Sequence, residues 1–369
     1  MSRTRHWSPA GLAAIAALVI GAAGCAIGAA FDPAGFCRAW LCAFLFWLGL
    51  PLAGVMLVLV HDLTGGDWMV TVRPALEAAV ATMPLASFAG IPAFVGMHSL
   101  YSWTHPAADL GNVFYLNSAD FLLRYALYIV LWNLLAGFVL WAPRGAASPI
   151  APALSWLSGL GLVLLAFSAS FAAIDWVLSL EPTFWSSIFP MIAGAGWFNT
   201  GLAFVLLVIA WRGGIAQGDR EHIADLAAIL LATTIFWAYV EFCQYLIIWE
   251  ENLKTEIPWY LTRLTRPWRP VLLVSVTLGF FVPFFVLLWG PSKRSRAVVA
   301  TVCALILLGR IADQWWLVLP EFGAARKLWL AASAILALGG GMVLMFNTAL
   351  RYPALLRARR LPTWSADHG

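Results

Sequence analysis

The chain has 369 residues, 62% of them hydrophobic and only 11% charged, with a formal net charge of +4. So few charged groups cannot coat a water-soluble globule of this size, and the basic residues fall between long apolar runs, which speaks for membrane topology and against nucleic-acid binding. The five cysteines (Cys25, Cys37, Cys42, Cys243 and Cys303) form no CxxC pair, so clustered thiolate ligation of zinc or an iron–sulfur centre is not on offer, and they read as small apolar residues.

Apolar runs of roughly 20 residues, the length that crosses a hydrocarbon core of about 30 Å, recur along the whole chain. Punctuation by Pro, Gly and charge predicts ten helices. In order they are Pro9–Ala30, Phe36–Val60, Glu77–Tyr101, Leu122–Trp141, Ile150–Leu178, Trp185–Trp211, Ala224–Trp249, Pro270–Trp289, Ala297–Leu319 and Leu328–Leu350. The first run is long and lacks a small-residue cleavage site, so it reads as a retained helix. Ten helices put both termini on one side. Arg3, Arg5, Arg73, Arg144, Arg212, Arg220, Lys293, Arg294, Arg296, Arg351, Arg357, Arg359 and Arg360 belong to that side, against Arg38, Arg124, Lys254, Arg263, Arg266, Arg269, Arg326 and Lys327 on the other. The excess predicts cytoplasmic termini.

A charge at bilayer depth costs roughly 2.5–3.5 kcal/mol on insertion scales, so each calls for a partner or a task. His61 and Asp62 close the second run, either as an interfacial cap or as a proton entry, the cap being the simpler reading. His98, beside Ser99 and Tyr101, is a structural residue or a donor to a ligand carbonyl. Asp175 and Glu181 bracket the outward end of the fifth run. In the seventh, Trp237, Glu241, Gln244, Tyr245 and Ile248 share one face by their spacing of three and four. Glu241 there either fixes packing or handles protons. Glu250, Glu251 and Glu256 follow in a loop that would cluster carboxylates with Glu181 if the segments meet, and such clusters make proton acceptors. Arg310 and Asp313, three apart, form a compensated structural ion pair. Intramembrane haem needs facing axial histidines, and the placement of these histidines offers no such pair, so electron carriers would have to sit on other chains.

The chain also echoes itself. LVLVHDLTGGD (Leu57–Asp67) and LLVIAWRGG (Leu206–Gly214) carry Gly-Gly pairs 148 residues apart, and IDWVLSLEP (Ile174–Pro182) and ADQWWLVLPE (Ala312–Glu321) carry aspartates 138 apart. A four-helix repeat keeps its orientation in the membrane, so the echo predicts a parallel duplication. The expected fold is an all-α membrane protein with a peripheral helix (1–35), two four-helix bundles (36–182 and 183–322), and a last helix with a basic tail (323–369).

Three segments carry a resemblance. DWVLSLEPTFWSSIF, FWAYVEFCQYLIIWEENLKTEIPWYLTR and FFVPFFVLLW before Lys293–Arg294, with the LTGGDW turn and the Pro84 region, resemble the NrfD/PsrC-like integral membrane subunits of alternative complex III. The nearer likeness is to the ActF-type subunit, and it covers about Leu41 to Glu321. It implies a bacterial inner-membrane subunit of a respiratory quinol:cytochrome c (or oxidase) oxidoreductase with no metal of its own and a quinone as candidate ligand. It further implies haem c and iron–sulfur partner subunits, a paralogous NrfD-like membrane subunit and a terminal oxidase among the assembly. Asp175, Ser179, Glu181, Gln244, Tyr245, Trp249, Asn252 and Glu256 are the positions that match. NLKTEI lacks the proline common after the leucine, and Glu241, Glu250 and Glu251 are additional acids. The competing expectation is a secondary transporter or ion channel, for which Pro84, Pro92, Pro283 and the Gly339–Gly341 run speak.

Overall fold

The computed structural model describes residues 9–105, 114–142, 150–212, 219–323 and 327–352. Among these residues the chain is helical and contains no strand. Ten helices are long and apolar enough to cross a membrane: α1 (Pro9–Phe31), α2 (Pro33–Thr64), α3 (Thr71–Val95), α4 (Ser118–Trp141), α5 (Leu154–Leu180), α6 (Phe189–Arg212), α7 (Glu221–Glu251), α8 (Arg269–Leu288), α9 (Arg296–Phe322) and α10 (Leu328–Arg351). The chain is an all-α, multi-span membrane protein. Helices are the form such a sequence must take in lipid, where every backbone N–H and C=O has to find its partner inside the segment. Several residues behind the predicted orientation (Arg3, Arg5, Arg144, Arg326, Arg357, Arg359 and Arg360) lie outside the described residues.

Two helices organise the molecule. The most apolar stretch of α2 is 89% buried and that of α6 72%, against 22% for α1 and for α8. α2 and α6 cross at small residues. A Cβ on Gly49 would stand 2.7 Å from the Trp197 carbonyl oxygen, and one on Gly201 would collide with Ala53 and the Gly49 carbonyl. Backbones in lipid approach this closely only through such residues. The touching positions, 49 with 197 and 53 with 201, are each 148 residues apart, the spacing of the Gly-Gly pairs. Other contacts come in matching sets. Ser158 Oγ of α5 donates to Asp62 of α2 (2.8 Å), and Arg296 of α9 donates to the Ala210 carbonyl of α6 (2.9 Å). Ala210 follows Asp62 by 148 residues, and Arg296 follows Ser158 by 138.

Outside these two sets, α1 packs chiefly on α10 and α10 lies along α2, where Trp47 Nε1 donates to the Ile335 carbonyl (3.0 Å). Asp32, at the α1–α2 corner, pairs with Lys327 at the start of α10, and that bond is the main reason its carboxyl sits below the ordinary range.

The third helix departs from its predicted extent of Glu77–Tyr101. It is segmented into Met69–Val80, Met83–Phe88 and Ile91–Val95, and then gives way to 3-10 turns at Met97–Ser99 and Ser102–Thr104. Pro84 and Pro92 remove backbone donors, and Gly90 and Gly96 add freedom where the ladder is already broken. α8 is interrupted by a π-turn at Thr277–Phe281, next to Pro283. The α2–α3 turn holds Gly65 and Gly66 at φ +70° and +108°, a region costly for any other residue.

Candidate functional site

α7 turns Trp237, Glu241 and Tyr245 to one side, each one turn on from the last. α8 supplies Ser275, Phe280 and Phe281 opposite, and α9 supplies Asp313 and Trp316. Tyr260, on the short helix Ile257–Arg263 that follows α7, closes one end. Between them lies a cavity of about 600 Å³, within the size range of small-molecule sites. Its walls are aromatic. Tyr239 and Phe242 at its margin are 62% and 60% exposed, so the cavity opens sideways on the flank of the helices.

The inner wall is polar. Arg310 Nη2 bonds Asp313 Oδ2 at 2.7 Å, and the guanidinium lies 4.4 Å from the centre of the Trp237 ring. Ser275 Oγ reaches Asp313 Oδ1 at 3.5 Å, and Gln314 Nε2 reaches Oδ2 at 3.4 Å. Glu241 Oε1 is buried and without a hydrogen-bond partner, as are Trp237 Nε1 and two guanidinium nitrogens of Arg310. Unpaired polar atoms at membrane depth are costly, and two of them, on Glu241 and Trp237, belong to residues that line this cavity, with Arg310 behind. A ligand carrying both donors and acceptors would satisfy them. Arg310 and Asp313, expected as a structural pair, are indeed paired, but Asp313 also forms cavity wall beside Glu241.

The other expected residues divide. Gln244 is buried and faces away, accepting from Ser186 Oγ (2.6 Å) and donating to Tyr260 Oη (3.3 Å), so it anchors the Tyr260 segment to the α5–α6 link. Asp175 is fully buried and closed off by Arg124 through two bonds (2.9 and 3.0 Å) and by Tyr128 (2.7 Å). It is a structural acid with both carboxylate oxygens engaged, placed apart from the cavity. His61 is buried and holds the Gly65–Gly66 turn, its Nε2 3.0 Å from the Gly66 carbonyl and its Nδ1 3.4 Å from Arg73. His98 is exposed in the 3-10 turn beyond α3, beside His105, and lines no part of the cavity.

The expected carboxylate cluster has different members. Glu181, at the end of α5, meets Glu321, at the end of α9, within hydrogen-bonding reach. Arg263 stands 3.7 Å from Glu321 and 3.9 Å from the Trp259 ring centre, and donates to the Leu317 carbonyl (2.9 Å). Burial pushes the Arg263 guanidinium down to about 10, with Glu321 and Glu181 opposing the shift. Glu250 and Glu251 are exposed, and the half-buried Glu256 is raised by desolvation first and by Glu251 second. Tyr260, Ser275, Trp316, Arg263 and Glu321 are the site residues that sequence reasoning passed over. Arg124 had a usable signal, because it lies near the start of α4 as Asp175 lies near the end of α5, placing both at one depth in antiparallel neighbours.

The corresponding region of the other half is filled. Tyr125 precedes Ser275 by 150 residues and packs on Phe94 (4.7 Å between centres), which with Phe44, Phe121 and Trp176 makes a solid aromatic core. Among the described residues no group of three or more His, Cys, Asp or Glu is placed to hold a metal ion. The chain matches no protein-family model, and no curated protein matches it.

Proposed function

We propose that this chain is the membrane subunit of a respiratory quinol oxidoreductase of the alternative complex III kind, and that the cavity between α7, α8 and α9 receives the quinol head. The supporting observation is the pairing of an aromatic chamber open on the flank of the helices with unpartnered Glu241 and Trp237 atoms at its inner wall. A quinol is flat, enters from lipid, and carries hydroxyls that donate on oxidation. Glu241 accepts the two hydroxyl protons in turn, passing on the first before it takes the second, and Trp237 Nε1 donates to the oxygen as it becomes a carbonyl. The two electrons leave to haem c and iron–sulfur carriers on partner subunits. Protons then pass to the face bearing Glu181, Glu321 and Arg263, which the positive-inside bias makes the outer face of a bacterial inner membrane.

The test is a quinol-dependent reduction assay on the intact complex carrying Glu241→Gln. Turnover should drop about 100-fold, the usual weight of a general base, with assembly unchanged. Turnover within twofold of the parent would remove Glu241 from the reaction. The second reading, a secondary transporter or ion channel, draws on the π-turn of α8 in the cavity wall, since interrupted helices mark transporter sites. Flux through proteoliposomes containing this chain alone would favour it.

A further inference from the structure

A second cavity of about 660 Å³ lies between the two halves, in the angle formed by α2, α5, α6 and α7. It is apolar and takes no part in the chemistry proposed above. Met56 and Phe236 at its rim are 39% and 44% exposed, and Gly194 has open space where a side chain would project. The matching contacts of the two halves say what kind of object belongs there. Under the 148-residue spacing of α2 to α6, and the spacing near 150 of α3 to α7, this angle corresponds to that between α6, α9, α2 and α3.

On its α2, α3 and α6 sides that corresponding angle is lined by α10. Trp47 of α2 donates to the Ile335 carbonyl and covers Gly339. Phe204 of α6 meets Phe346 edge-on at 5.3 Å. Leu85 of α3 lies over Gly341. The counterparts of Trp47 and Phe204, 148 residues away, are Ala195 and Met56, and both line the second cavity. Leu85 at a spacing of 150 corresponds to Ile235, next to the cavity-lining Phe236. One of two equivalent clefts is thus closed by a helix of this chain, and the other stands open. The undescribed segments between the ten helices are at most the eight residues 106–113, far short of the roughly 20 a spanning helix needs.

We infer that the open cleft seats a single transmembrane helix of another polypeptide. Its chemistry follows from the one large difference between the clefts. Trp47 meets a glycine of α10, whereas its counterpart is the small Ala195, so the incoming helix presents a large apolar side chain (Leu, Phe or Trp) at that level. A second copy of this chain suits the space poorly, because the cleft has room for one helix face between α5 and α7.

A photoreactive phenylalanine analogue placed at Met56, Ala166 or Phe236, and at lipid-facing Leu127 as control, tests this in the complex purified from native membranes. The expected product is a cross-link from all three cleft positions, absent from Leu127, to one apolar helix of a different subunit. Gly194→Trp, which fills the cleft from open space, should release that subunit while the remaining chain stays folded by thermal unfolding in detergent. Cross-links to lipid alone, or to a second copy of this chain, would overturn the inference, as would full retention of the subunit by the Gly194→Trp protein. None of these outcomes depends on whether the first cavity binds quinol.

Discussion

At the scale of single residues, the two buried acids in the C-terminal parts of α5 and α7, Asp175 and Glu241, make opposite predictions. Asp175 has both carboxylate oxygens engaged, so it belongs to stability. Arg124→Leu should strip a fully buried carboxylate of its ion pair and cost about 3–5 kcal/mol, read as a large fall in the thermal midpoint. Glu241 has an oxygen with no partner, so it belongs to function. Glu241→Leu should leave the midpoint unchanged or raise it, because an unsatisfied polar group at membrane depth is replaced by an apolar one, while quinol turnover is lost. Destabilisation by Glu241→Leu comparable to that of Arg124→Leu would mean that Glu241 is a packing residue after all. At the corner joining α1, α2 and α10, Asp32 titrates below the ordinary carboxylate range chiefly because of Lys327. A depressed carboxyl stabilises the fold above its unfolded value near 4 and loses that contribution as pH falls through its folded value. Asp32→Asn should therefore lower the thermal midpoint slightly at neutral pH, where the contribution is present, and leave it unchanged below the folded value, which flattens the acid limb; the effect is small because so exposed a pair is worth little.

The scale of helices shows where sequence reading succeeds. Ten apolar runs were legible because a 20-residue greasy stretch has no competing fold in lipid. The segmentation of α3 was only half legible. Pro84 and Pro92 announced interruption, but that the helix would yield to 3-10 turns, carrying His98 out of it, depended on how Gly90 and Gly96 pack against Tyr125 and Cys37. Glu241 and Asp313 each stood out as charges in apolar surroundings. Their convergence on one cavity did not, because they sit on α7 and α9 and meet only through the packing of both around α8. Glu321 hid for a similar reason, since its partners Glu181 and Arg263 come from two other segments. The α2–α6 crossing yields a paired prediction. Gly201→Leu places a large side chain where even a Cβ collides with Ala53, so it should be destabilising by about 1–3 kcal/mol or more. Gly159→Ala in α5 meets nothing within 4 Å and should be neutral or stabilising by up to about 1 kcal/mol. Thermal unfolding of the two proteins in one detergent decides it, and equal midpoints would mean the crossing is not tightly packed.

Across the whole molecule, the two successive runs of four helices, α2–α5 and α6–α9, are put to different use. Contacts recur at matching positions, 49 with 197 beside 53 with 201, and 62 with 158 beside 210 with 296. The chemistry does not recur. One half is packed solid with Tyr125, Phe94 and Trp176 around a neutralised Asp175, and the other keeps Ser275 and an open chamber before Glu241 and Asp313. The most direct test of this division of labour is photolabelling of the purified complex with an azido-quinone, followed by peptide mapping. The account predicts label on α7 and α8 around Tyr239, Phe242 and Phe281, displaced by excess quinone and absent from the Tyr125–Trp176 core. Saturable labelling confined to other subunits, with α7 and α8 untouched, would contradict it.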